Sequence, residues 1–155
     1  MGKTHFNSIS LQELVQRSDY ILLVERLEPV QTIERISVKW NKKEYPPYVI
    51  PVSHFEVKKV LFSVQDSFSQ TKILIYPARY HMGLKVHKDY CIQGKSRSFI
   101  VDSYLEKGFT KIKNLIVFLN KSDKFEFSVR NAYESVDAVD NVLEFINQTK
   151  WSKFG

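Results

Sequence analysis

Two short, unbroken runs of apolar residues place the strongest constraint on how this chain folds. Residues 21–24 (ILLV) and 115–119 (LIVFL) contain only aliphatic or aromatic side chains. Each run is too short for a buried helix, and neither alternates as a strand with one solvent-exposed face does. Both segments are therefore predicted to be strands that the rest of the fold covers on both faces.

Weaker strand patterns occupy the region between and after these runs. Apolar residues alternate over residues 32–39 and, in part, over 48–62, and residues 40–47 between them are predicted to form an exposed turn. A further short strand pattern spans 71–76. The second apolar run is followed by turn residues at 120–124 and then by alternating apolar residues. This order predicts a β-hairpin within residues 115–129.

The stretch from residue 79 to 97 has no regular pattern. Gly83 and Gly94 interrupt it, and basic side chains outnumber acidic ones. It is predicted to be a long excursion between strands, with a short hairpin around residues 90–92. Residues 98–104 are predicted to form another strand, which gives six or seven strands in all.

A helix is predicted near each end of the chain. Ser10 and Glu13 have the spacing of a capping box, in which the two side chains bond reciprocally to the first turn, and this predicts a helix over about 10–18. Apolar residues recur at helical spacing from residue 136 onward, with aspartates near the positive end, and predict a helix over about 136–148.

The composition fits an ordinary globular protein. The chain has 155 residues, of which 43% are hydrophobic and 26% are charged. A chain of this length can bury a substantial core without disulfides or structural metals. This composition excludes collagen, a coiled coil, a disordered chain and a disulfide-stapled mini-protein. We find no repeat and no linker, so residues 1–155 are predicted to form a single domain.

The opening of the chain resembles that of a group of exported bacterial domains. Residues 10–19 (SLQELVQRSD) form a capped helix that ends in Ser-Asp and leads directly into the strand of residues 20–27 (YILLVERL). Residues 55–61 (FEVKKVL) resemble a later strand, and residues 115–119 resemble the buried strand before the closing hairpin. This order of elements is similar to that of OB-like barrel domains related to the netrin and tissue-metalloproteinase-inhibitor modules. Such a resemblance implies a binding scaffold and no particular activity.

The chain departs from those modules in its single cysteine, Cys91, and in its few glycines. No inhibitory residue can therefore be carried over to it. With this resemblance, the predicted fold class is α+β, mainly β: a partly closed antiparallel OB-like barrel over residues of about 20–130, with the N-terminal and C-terminal helices packed against it.

The sequence leaves the cellular compartment open. The first twenty residues lack the apolar core, roughly 7–15 residues long, of a signal peptide. No run approaches the length of about 18 apolar residues that a membrane span needs. Taken literally, this indicates a cytoplasmic protein, whereas the resemblance implies a periplasmic or secreted protein whose signal peptide has been removed.

Charge and aromatic residues indicate how the protein could bind a partner. The 23 Lys and Arg residues exceed the 17 Asp and Glu residues, which gives a net charge of +6 and favours nucleic acid, anionic lipid or an acidic protein as partner. Basic and aromatic residues alternate in two predicted loops. The predicted binding surface consists of Trp40, Lys42, Lys43, Tyr45, Tyr48, Arg79, Tyr80, Lys85, Lys88 and Arg97.

Two partner classes fit this surface. Rings can anchor a protein interface while cations steer an acidic partner to it. The same residue types stack bases and neutralise phosphates in single-stranded nucleic acid. We favour a non-catalytic binding module for an acidic protein partner, with single-stranded nucleic-acid binding by the same loops as the alternative. The oligomeric state is left open.

A third interpretation rests on the only cysteine. A histidine near Cys91 could activate its thiol, as in a hydrolase, and imidazole and thiolate are also ligands for copper or zinc. The candidate residues are His81, Met82, His87, Asp89 and Cys91. Their spacing matches no standard catalytic or metal motif, and the chain has no Gly-x-Ser-x-Gly, Walker A or His-Glu-x-x-His sequence. We therefore predict no enzymatic activity, no metal and no other cofactor.

Overall fold

The computed structural model describes residues 9–65, 68–94, 112–129 and 132–150. Most of this part of the chain is β-structure, with helices near both ends and a further helix between the third and fourth strands. The helices are α1 (Leu11–Arg17), α2 (Tyr80–Ile92) and α3 (Val139–Thr149), and a short 3-10 turn (Val136–Ala138) leads into α3. The strands are β1 (Tyr20–Trp40), β2 (Lys43–Ser63), β3 (Lys72–Tyr76), β4 (Asn114–Lys121), β5 (Phe125–Phe127) and β6 (Tyr133–Ser135).

Five of the strands close into a barrel. Hydrogen bonding joins β1 to β2, β2 to β3, β3 to β5, β5 to β4, and β4 back to β1. Every pair in this ring is antiparallel except β3–β5, which is parallel. The predicted α+β, mainly β class with a helix toward each end is confirmed, and the structure adds that the barrel is closed and mixed. This strand order is compatible with an OB-like barrel.

The two apolar runs lie side by side at the centre of the barrel. Residue Ile21 of β1 is paired with Phe118 of β4, and Leu22 is paired with Val117. All four side chains are fully buried. The prediction that both runs are central strands is therefore confirmed, and the hairpin within residues 115–129 is confirmed by the antiparallel pairing of β4 with β5.

The helices at the two ends cover the same part of the core. Leu14 of α1 and Ile146 of α3 are both buried in the barrel core. The amide of Glu13 donates to Ser10 Oγ at 3.1 Å, as the capping box predicts. At the other end of α1, the buried Lys150 Nζ donates to the carbonyl oxygens of Gln16 at 2.8 Å and Ser18 at 3.0 Å.

The β1–β2 hairpin is longer than the sequence predicts. An exposed turn was expected over residues 40–47, but only Asn41 and Lys42 form the turn, and the residues on both sides continue the ladder. Both turn residues have positive φ (55° and 63°), as in the two-residue turns that suit twisted hairpins. Pro46 lies where the register shifts between β1 and β2, a position at which a strand tolerates proline.

The prediction of an irregular excursion with a small hairpin around residues 90–92 is wrong, because this segment forms α2. The inner face of α2 consists of Tyr80, Leu84, His87 and Cys91, which are at helical spacing but include the polar His87. The start of the helix has no side-chain cap of its own. Instead, the amide of Arg79 donates to Glu126 Oε1 of β5 at 3.0 Å. The predicted strand 98–104 lies outside the described residues.

Candidate binding surface

The structure brings the two predicted binding segments together. His87 of α2 places Nε2 at 2.8 Å from the carbonyl oxygen of Pro46 in β2, and its ring centroid lies 5.5 Å from that of Tyr48. Gly83 lies against Tyr48 so closely that a Cβ there would overlap the Tyr48 hydroxyl. Since Gly83 meets Tyr48 and the later His87 meets Pro46, α2 runs in the direction of the hairpin tip.

This contact encloses a second, smaller core that we call the tyrosine cluster. Its buried members are Val38, Tyr48, Ile50, Val52, Tyr76 and Tyr80. Tyr48 and Tyr80 are only 1% and 5% exposed. Their predicted role as surface rings is therefore wrong, because each ring is used to attach the hairpin or α2 to the rest of the protein.

Two hydroxyl groups of the tyrosine cluster donate to carboxylates. Tyr76 Oη donates to Glu34 Oε1 at 2.7 Å, and Tyr80 Oη donates to Asp123 Oδ1. Burial raises the pKa of Tyr48 to about 12. Burial, and then the hydrogen bonds to these carboxylates, also raises the pKa of Tyr76 and Tyr80. The bond from Tyr80 lowers the pKa of the Asp123 carboxyl group.

The hairpin tip keeps the exposed groups that the sequence predicts. Trp40 is 46% exposed, and Lys42 and Lys43 are exposed beside it. Tyr45 is half-buried, and Lys43 Nζ lies 5.3 Å from the centre of its ring. The tip therefore combines two accessible rings with two cations, as an interface anchor requires.

The outer face of α2 carries an apolar feature that the sequence analysis missed. Met82, Val86 and Tyr90 follow one another at intervals of four residues and are 53%, 49% and 39% exposed, and we call them the α2 stripe. Residues at this interval lie on one face of a helix. Their spacing becomes informative only once the segment is known to be helical, which is why they were missed.

Basic residues also lie on α2 and at its start. Arg79 and Lys85 are exposed, and Lys88 is half-buried. Lys85 Nζ lies 3.4 Å from the Asp89 carboxylate, one turn further along the helix. Arg97, the last residue of the predicted surface, lies outside the described residues.

The five residues of the cysteine and histidine interpretation are divided between the two faces of α2. His87 and Cys91 are buried on the inner face, whereas His81, Met82 and Asp89 are exposed. Within the described ranges, no group of three or more His, Cys, Asp or Glu side chains is arranged to hold a metal ion.

The buried pair is also poorly arranged for activating the thiol. Cys91 Sγ lies 3.6 Å from His87 Nε2, the nitrogen that faces the Pro46 carbonyl oxygen. A carbonyl oxygen can only accept a hydrogen bond, so Nε2 carries the proton in this arrangement. The nitrogen nearest the thiol is therefore not the one that could take its proton.

Comparison with known proteins adds no assignment. No protein-family model matches the chain, and no curated protein matches it. Among the described residues, no helix combines the length and the apolar character needed to cross a bilayer.

Proposed function

We propose that this protein is a non-catalytic binding module that recognises an acidic protein partner. The partner binds to the α2 stripe and to the tip of the β1–β2 hairpin. The observation that carries this proposal is the row of exposed apolar side chains at Met82, Val86 and Tyr90, on a helix that also carries two lysines. Apolar anchors within a polar rim are the usual arrangement of a protein interface.

The side chains of the α2 stripe favour a protein over nucleic acid. Met82 and Val86 bury well against the apolar side chains of another protein but give no flat ring on which a base could stack, so Tyr90 is the one stacking ring among the three. The burial of Tyr48 and Tyr80 also removes two of the rings that nucleic-acid binding by these loops would use. Single-stranded nucleic-acid binding remains the alternative, with Trp40 as its main stacking residue.

The charges on α2 indicate the chemistry of the partner. Lys85 and Lys88 lie on the same helix as the α2 stripe. A partner segment with apolar residues on one side and Asp or Glu residues beside them would satisfy both features. Charge complementarity of this kind raises the association rate and excludes basic partners.

Interface variants can test this proposal against a matched control. Val86→Asp places a charge in the α2 stripe, and Val64→Asp makes the same change at a similarly exposed valine near the α1 end of the barrel. Exposed substitutions of this kind usually change stability by less than about 0.5 kcal/mol, which thermal unfolding would verify. Proteins captured from the native source would be compared between the two variants, and each candidate partner would then be titrated in pure form.

We expect to find an acidic partner that binds both the wild type and Val64→Asp. This partner should bind Val86→Asp at least about tenfold more weakly, which corresponds to a loss of about 1.4 kcal/mol in binding free energy. Higher salt should slow its association. Equal binding by both variants would contradict the proposal.

A labelled single-stranded oligonucleotide, titrated at about 50 and 200 mM salt, tests the alternative of nucleic-acid binding. Micromolar binding that requires Trp40 would favour nucleic acid instead.

The resemblance to exported netrin-like modules supplies the expected setting for this interaction. It is supported by α1 leading directly into the first strand of a closed barrel, the order on which the resemblance rests. We accordingly expect a periplasmic or secreted partner. Fractionation of cells that express the native gene would test this expectation, and recovery of the protein only with the cytoplasm would contradict it.

A further inference from the structure

A groove of about 560 Å³ lies away from the α2 stripe, between β3 with its preceding residues and the β4–β5 turn. It forms because β3 and β5 are paired only at Ile75 with Phe125 and at Tyr76 with Glu126. The residues that precede Ile75, in β3 and in the segment leading into it, face residues 121–124 across a gap. The groove is therefore part of the barrel wall and is built by elements that the barrel holds in place.

Three lysines line this groove, one on the β3 side and two on the turn side: Lys72, Lys121 and Lys124. Lys121 Nζ lies 5.1 Å from the centre of the Phe125 ring, and Lys124 Nζ lies 5.7 Å from that of Tyr76. These ring contacts hold the two ammonium groups at the groove wall.

The positive charge of the groove is only partly offset by the protein. Within the described part of the chain, no carboxylate lies within 4 Å of these three ammonium groups, whereas Lys58 and Lys113 both lie within 4 Å of Glu25. The groove contains one carboxylate, Asp123, which already accepts hydrogen bonds from Tyr80 and Ser122. Three lysines and one aspartate give the lining a net charge of +2.

The remaining lining indicates a compact ligand with several anionic groups. Tyr76 and Phe125 are buried, so the groove offers no exposed ring for a base to stack on. Residues 69–71 (SQT) add hydroxyl and amide groups. The volume falls in the range of about 300–1,000 Å³ that is typical of small-molecule sites. Lysine ammonium groups are established phosphate binders that act as point charges.

We propose that this groove binds a small ligand carrying two or more phosphate groups, held by Lys72 from one wall and by Lys121 and Lys124 from the other. This site shares no residue with the proposed protein interface and does not depend on it. Inorganic polyphosphate and a phosphorylated metabolite would present the same chemistry. A titration series that includes both kinds of compound would separate these two sources.

Calorimetric titration of the full chain with inorganic tripolyphosphate tests the proposal, with ATP as a second probe. We expect the wild type to bind at least one of the two. Lys121→Gln/Lys124→Gln should weaken that binding by about tenfold or more, since it removes both ammonium groups from one wall of the groove. The matched control, Lys42→Gln/Lys43→Gln at the hairpin tip, removes the same charge elsewhere and should change the affinity less than about twofold.

Three outcomes would overturn the proposal. No binding of either probe at millimolar concentration would remove the site. An equal loss in the two double variants would show a general effect of net charge. Tight binding of a single-stranded oligonucleotide that needs Lys121 and Lys124, with neither probe competing, would assign the groove to nucleic acid instead. Val86→Asp should leave phosphate binding unchanged, so this test and that of the protein partner can fail separately.

Discussion

The barrel core and the tyrosine cluster are both buried, but they are built from different chemistry. The centre of the barrel core consists of aliphatic and phenylalanine side chains from β1 and β4. The tyrosine cluster buries three tyrosines, two of which donate hydrogen bonds to carboxylates on other elements. The first core depends on the removal of apolar area from water. The second depends also on polar partners, because a buried hydroxyl without one is costly.

The largest effect should come from a cavity in the barrel core. Phe118 of β4 is fully buried and is paired with Ile21. Phe118→Ala should lower the free energy of unfolding by about 3–5 kcal/mol, the usual cost of removing a buried phenylalanine. Urea unfolding measured by circular dichroism would give this value. A loss below about 1 kcal/mol, similar to that of the exposed Val64→Ala control, would show that the barrel is not the main source of stability.

A smaller effect is expected where the hairpin meets α2. Gly83→Ala places a methyl group against the Tyr48 hydroxyl, so the Tyr48 ring or the elements that meet there must shift. Overpacking of this kind costs about 1–3 kcal/mol. Thermal unfolding should show this loss of stability in Gly83→Ala. The loss should be smaller when Gly83→Ala is made in a Tyr48→Phe background, because Tyr48→Phe removes the hydroxyl oxygen.

This pair of substitutions has a built-in control. Gly83→Ala also raises the helix propensity of α2, which by itself is stabilising by about 1 kcal/mol. A double-mutant cycle separates this contribution from the contact with Tyr48. Additive effects of Gly83→Ala and Tyr48→Phe would contradict the close approach seen in the structure.

The smallest effect at neutral pH is expected from Tyr48→Phe, whose consequence should appear in alkali. A tyrosine whose pKa is higher in the folded state than in the unfolded state stabilises the fold below about pH 10. That contribution is lost as the pH rises through the pKa of the folded state, which is about 12 for Tyr48. We therefore expect stability to fall between about pH 10 and 12, and to fall less steeply in Tyr48→Phe.

Urea unfolding at several pH values over this range would measure that slope. Tyr76 and Tyr80 have raised pKa values with the same sign, so the variant should keep part of the alkaline loss. An identical slope in the wild type and in Tyr48→Phe would show that the Tyr48 hydroxyl is not buried in solution.

The sequence predicts correctly those parts of the fold whose stabilising residues lie close together in the chain or are all apolar. The cap at Ser10, the hairpin of β4 and β5 and the two central strands all have such residues. The α2 helix does not, because Glu126 of a distant strand binds the amide of Arg79 at its start, and because His87 is part of its buried face. Only tertiary contacts explain this helix.

The expectation that these residues are exposed is correct at the hairpin tip and wrong where a ring packs inward. Trp40, Lys42 and Lys43 are exposed as predicted, since a two-residue turn leaves its neighbours in solvent. Tyr48 and Tyr80 are buried. The residues next to a tyrosine in the sequence are the same whether its ring faces solvent or packs against another element. Its position depends on the packing of the hairpin on α2, which no local pattern contains.

The contact of Lys150 with the end of α1 has a consequence for the order in which the protein is completed. With only seven residues, α1 is too short to be stable in isolation. Its final carbonyl groups are bound by a lysine more than 130 residues later in the chain. Helix α1 therefore cannot make these contacts until residue 150 has been synthesised, so it is among the last of the described elements to reach its final structure.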